Sequence, residues 1–117
     1  MKFKFLVEDG YLDVKSLSKS NELIAWQLSN ITSYSVFFMV EEGIRDVEKE
    51  NKEEWHMSFN STFLQVTKNN IRCSDLFDEK IYIDISPKKF LKILHKWKSF
   101  VTESRNKHNY QRTLEFD

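Results

Sequence analysis

The pair Ser86-Pro87 constrains this chain more than any other feature of its sequence. Serine is a favoured helix N-cap, and proline, whose φ is already helical and whose missing N–H is not needed there, suits the first helical position. At about 100° per residue, Phe90, Ile93, Leu94, Trp97, Phe100 and Val101 then fall on one side. Lys88, Lys89, Lys92, His95 and Lys96 fall opposite or at the flank. The spacing predicts a helix over 87–104 with one face against a core and a basic face outward. Beyond Glu103 the chain is polar and cationic, but Tyr110, Leu114 and Phe116 leave the tail free either to fray or to dock.

The remaining segments read mainly as strands. Lys2-Phe3-Lys4-Phe5 alternates as a half-buried strand does, and Asp9-Gly10 supplies a turn after it. Residues 11–20 show no winning period and read as irregular. In Asn21–Ile31, Leu23, Ile24, Leu28 and Ile31 suit a helix while Ile24, Trp26 and Leu28 suit a strand equally; the reading leans to strand. Val36-Phe37-Phe38-Met39-Val40, apolar, aromatic and β-branched, predicts a central strand covered on both faces. Residues 41–54 are solvated, as a short exposed helix or a loop. Phe63–Thr67 and Ile71–Ser74 flank Lys68-Asn69-Asn70 as a hairpin, and Ile81–Ile85 alternates as an edge strand. The fold expected is α+β, a mainly antiparallel β-sheet with a long C-terminal α-helix packed on it.

With 117 residues, ten Phe, four Tyr and three Trp, there is material for one core, so residues 1–117 are expected to form a single domain. Two Gly and one Pro argue for long regular elements over a loop-rich fold. Cys73 stands alone, which excludes an intramolecular disulfide and suggests a reducing, cytoplasmic setting. The amino terminus turns acidic after about five mostly apolar residues, too short for a signal peptide, and no apolar run approaches the length of a membrane span. Neither export nor membrane contact is expected.

Chemistry is sparsely represented. His56, His95, His108 and Cys73 are scattered, so neither a metal centre nor a Cys-His nucleophile pair is expected. Gly10 and Gly43 cannot form a phosphate-cradling loop, and no cofactor is expected. Runs of carboxylates are usually hydrated faces rather than acid–base machinery. The chain therefore reads as a binding protein, not an enzyme. Its charges, 18 basic and 18 acidic, cancel but are segregated: residues 88–112 hold eight Lys or Arg against Glu103 alone, while residues 41–54 hold seven acids against three bases. An acidic surface suits a basic protein partner, where complementary charge speeds encounter and buried anchors hold the complex. The candidate contact residues are Glu41, Glu42, Asp46, Glu48, Glu50, Glu53 and Glu54 with Trp55 beside them, and Asp75, Asp78 and Glu79 in a second acidic stretch. Alternatively, the basic helix 87–104 serves a small nucleic-acid-associated or regulatory protein, with Lys88, Lys92 and Lys96 on phosphates and Trp97 or Tyr110 stacking on bases.

The run Phe63-Leu64-Gln65-Val66-Thr67-Lys68-Asn69-Asn70-Ile71-Arg72-Cys73-Ser74-Asp75-Leu76-Phe77, followed by Ile83-Asp84-Ile85-Ser86-Pro87 and the helix to Trp97, resembles the hairpin-then-helix ending of small bacterial immunity proteins. Those proteins neutralise polymorphic or contact-dependent growth-inhibition toxins. The similarity spans roughly residues 33–101 and lies in pattern and proportion. It implies a non-enzymatic cytoplasmic inhibitor whose partner is the C-terminal domain of a cognate toxin, often a nuclease, with no direct nucleic-acid contact. On that reading the acidic residues mimic the charge of nucleic acid.

Overall fold

The computed structural model describes residues 1–117. In chain order the elements are β1 (Lys2–Glu8), β2 (Tyr11–Ser16), α1 (Glu22–Ser29), α2 (Tyr34–Glu48), β3 (Glu54–Ser58), β4 (Thr62–Thr67), β5 (Asn70–Asp75), β6 (Tyr82–Ile85), α3 (Pro87–Glu103) and β7 (Tyr110–Glu115). They form an α+β fold with two antiparallel sheets, ordered β2-β1-β7 and β3-β4-β5-β6. The helix predicted from Ser86-Pro87 is present: Ser86 Oγ accepts the N–H of Lys89 at 3.2 Å, and all six residues of the apolar stripe are buried. The stripe meets both sheets. Trp97 and Phe100 lie against Phe5 of β1, with ring centroids 5.1 and 5.8 Å away, and α3 also adjoins β5.

Strand β1, the β4–β5 hairpin and the edge position of β6 follow the sequence pattern. Four expectations are corrected. Residues 11–16 are ordered as β2, because Asp9 (φ 50°) and Gly10 (φ 83°) make a two-residue turn that sets Val14 opposite Phe5 and Leu12 opposite Val7. Residues 22–29 are helix: Leu23, Ile24, Ala25, Gln27 and Leu28 are buried, whereas Trp26, which carried the strand alternation, is exposed. Val36–Val40 is no central strand but the first half of α2. Phe37, Val40, Ile44 and Val47 are buried at helical spacing, so the stripe runs straight through the acidic residues, and Ser33 Oγ caps its start at Val36 N. Residues 41–48 are thereby helical, neither a loop nor a separate short helix.

The fourth correction concerns the number of sheets, because the tail, open in sequence to fraying or docking, docks. Strand β7 pairs with β1 from Lys2–Glu115 to Val7–Tyr110, Phe116 is buried, and a second sheet results where one was expected. Twenty-five buried residues from both sheets and all three helices form a continuous cluster. The Trp97 indole N–H donates to the carbonyl of Ile31 at 2.7 Å and so ties α3 to the α1–α2 connection. No single helix is long and apolar enough to cross a membrane.

Candidate protein-interaction surface

Helix α2 is positioned by its contact with β3. Gly43 lies on its inner flank, and the Trp55 ring covers it so closely that a methyl group there would stand 2.7 Å from Cε3 and nearer still to Cδ2 and Cε2. Trp55 is thus half-buried, holding helix to sheet. With Phe37, Val40, Ile44 and Val47 turned inward, the rotation of about 100° per residue places Tyr34, Phe38 and Glu42 along the outer line, with Met39 and Asp46 on one flank. Phe38 is 63% exposed, and Tyr34 and Met39 are also open to solvent. Phe38 and Met39 lie in an apolar run that reads as core in sequence; only the helical period, continued past Glu41, points to their exposure.

The predicted acidic residues divide by what they touch. Glu41 is bound to Lys98 of α3 at 3.1 Å, Glu42 to Arg45 one turn on, and Glu50 to Lys68 in the β4–β5 turn. Glu54 accepts a hydrogen bond from the Gln65 amide at 2.6 Å. Asp46, Glu48 and Glu53 have no cationic partner within the chain. These seven and Trp55 therefore gather around α2 and the start of β3, but only Glu41, Glu42 and Glu50 are paired with a cation, and of the other four Glu54 alone is held by a side-chain hydrogen bond.

Asp75, Asp78 and Glu79 lie at the far end of the four-stranded sheet. Leu76 N bonds to Ser61 O there, whereas Lys68 and Glu50 mark the other end, a strand length of about 17 Å away. The two acidic groups do not form one patch. Asp75 Oδ1 accepts the N–H groups of Phe77 and Asp78 at 2.8 and 3.2 Å, which commits it to shaping its own loop. That loop holds Phe77 84% exposed. On the open face of the sheet Arg72 forms two hydrogen bonds to Asp84, at 2.8 and 3.0 Å, and lies 3.9 Å over the Tyr82 ring. The Arg72 and Asn70 hydrogen bonds hold the Asp84 carboxyl below its ordinary range.

The basic face of α3 is present, with Lys88, Lys92, His95 and Lys96 exposed, but Lys98 is turned to Glu41, and Arg112 lies 3.6 Å from Glu103. Trp97, offered as a stacking platform, is wholly buried. No three His, Cys, Asp or Glu side chains converge as a metal-binding group would. Cys73 is fully buried, and desolvation pushes its thiol up from 9.0 to about 12. A folded value above the unfolded one stabilises the fold fully below the unfolded value and progressively less as pH rises toward the folded one. The denaturation midpoint is therefore expected to fall between about pH 9 and 12 more steeply in the parent chain than in Cys73→Ala. Equal slopes would show that Cys73 contributes nothing to the pH dependence.

Comparison with protein-family models, with curated proteins and with solved structures gives no match.

Proposed function

We propose that this chain is an immunity protein: a cytoplasmic inhibitor that binds the C-terminal nuclease domain of a cognate toxin and carries out no chemistry of its own. The observation that carries the reading is the outer side of α2, where exposed Phe38 and Met39 sit beside Asp46 on one rigid element. Interfaces are held by a few apolar anchors and steered by surrounding charge. A helix pinned by Trp55 presents both without reorganisation. Asp46, Glu48 and Glu53 are the acids available to a basic partner, while Glu41, Glu42, Glu50 and Glu54 are partly satisfied within the chain.

The test is to isolate the tagged protein from its native cell at moderate salt. The expected companion is one equivalent of the tail of a large secreted or surface protein, toxic when expressed alone. Against that domain, Phe38→Ala and the triple reversal Asp46→Lys, Glu48→Lys, Glu53→Lys are each expected to weaken binding by tenfold or more, about 1.4 kcal/mol. Only the reversal should flatten the salt dependence. A toxin bound equally well by both variants would remove this surface from the reading. Recovery of nucleic acid in place of protein would favour the second reading, carried by the exposed lysines of α3.

A further inference from the structure

The edge of β6 points to a second use of the fold. Antiparallel ladders alternate between residues that turn both backbone polar groups toward the neighbour and residues that turn both away. Asp75 N bonds to Ile81 O at 2.9 Å, and the register continues through Ser74–Tyr82, Cys73–Ile83 and Arg72–Asp84. Ile83 and Ile85 therefore face β5, whereas the N–H and C=O of Tyr82 and Asp84 face outward, where no strand pairs with them. Open edges are commonly protected by a charged side chain. Here the one charge on the strand, Asp84, is already held by Arg72 and Asn70. Ile81 and Tyr82 are exposed at the start of the strand, and Phe77 projects from the loop before it.

We infer that this edge pairs with the same edge of a second copy of the chain, giving a two-fold symmetric dimer with a continuous eight-stranded sheet. Residues facing one another across such a pair must lie on the same face of the sheet. Setting Ile83 against its own counterpart meets this condition and brings Tyr82 of each copy against Asp84 of the other, with their outward backbone groups in register. The antiparallel arrangement also sets the beginning of each β6, where Asp78 and Glu79 stand, beside the end of the other, where Lys88 and Lys89 begin α3. None of these four side chains has an ion-pair partner in its own chain. That charge complementarity selects a second copy as the occupant. The edge is opposite β3, so the dimer leaves Trp55 and α2 uncovered.

A four-residue strand pair is small beside the roughly 1,200–2,000 Å² of stable interfaces, so the dimer is a weak, reversible one. Sedimentation equilibrium on the full chain, from about 5 µM to about 1 mM, is expected to show monomer converting to dimer. Asp78→Lys with Glu79→Lys, and separately Lys88→Glu with Lys89→Glu, should each weaken dimerisation at least tenfold. Mixing the two reversed variants should restore it, because each then meets opposite charge. Tyr82→Pro removes an outward N–H and should abolish the dimer with the circular dichroism of the fold retained. A monomer throughout that range, a dimer indifferent to these variants, or reversal without recovery on mixing would each overturn the inference.

Discussion

Trp97→Ala is expected to destabilise the chain by about 4–5 kcal/mol, a large part of the stability of a domain this size. Three losses combine. The ring is wholly buried between β1 and the α1–α2 connection, so its removal leaves a cavity that the surrounding helices and sheet cannot fully close. Its edge-on contact with Phe5 and its stacking on Phe100, at 5.7 Å between centroids, also go. The Ile31 carbonyl then loses its donor. Trp97→Phe separates these effects: it keeps an aromatic ring in place and deletes the indole N–H, for an expected loss of about 2 kcal/mol. Urea denaturation curves of the three proteins measure both. A Trp97→Ala midpoint within experimental error of the parent's would refute the packing described for α3.

Gly43→Ala is the second large effect, and its sign opposes intrinsic propensity. On an exposed helix this exchange stabilises by about 1 kcal/mol. In α2 the added methyl runs into the Trp55 ring, so helix and strand must separate, and a net loss of about 2–3 kcal/mol is expected. In a Trp55→Ala background the clash is gone and the helical preference should reassert itself, making Gly43→Ala neutral or stabilising there. The double-mutant cycle reads the coupling directly. Additive effects in both backgrounds would mean that Trp55 does not lie across Gly43. Because Phe38, Met39 and Asp46 ride on the same helix, Gly43→Ala should also disturb the proposed partner surface without touching any residue on it.

The parts legible in the sequence are those whose signals are local. Ser86-Pro87 and six apolar residues at helical spacing define α3 without outside help, and the turn residues at 68–70 define the β4–β5 hairpin. Helix α2 is obscured in sequence because Val36–Val40 contains β-branched and aromatic residues and the charges from Glu41 onward mask the continuation of its stripe. Its helical stripe becomes visible only when Ile44 and Val47 are counted with Phe37 and Val40. Strand β2 depends on pairing with β1, and β7 on pairing with a strand about a hundred residues away, neither of which periodicity conveys. The candidate surface divides in the same way. Acidic residues are plain from composition, but the ties of Glu41 to Lys98 and Glu50 to Lys68 are tertiary facts. So is the exposure of Phe38 and Phe77, since phenylalanine is ordinarily read as core.

The pairing of β1 with β7 has a consequence in time. Met1 N and O are bonded to Phe116 O and N, at 3.1 and 2.7 Å, so β1 rests against a segment synthesised about a hundred residues after it. At about 5–20 residues per second, β1 and β2 wait roughly 5–20 s on the ribosome before their third strand exists. Throughout that interval Phe3 lacks Phe116 and β1 has one open edge, while β3 to β6 can already assemble. Strand β1 is most vulnerable to proteases and to stray strand pairing during that interval, and the arrival of β7 ends it.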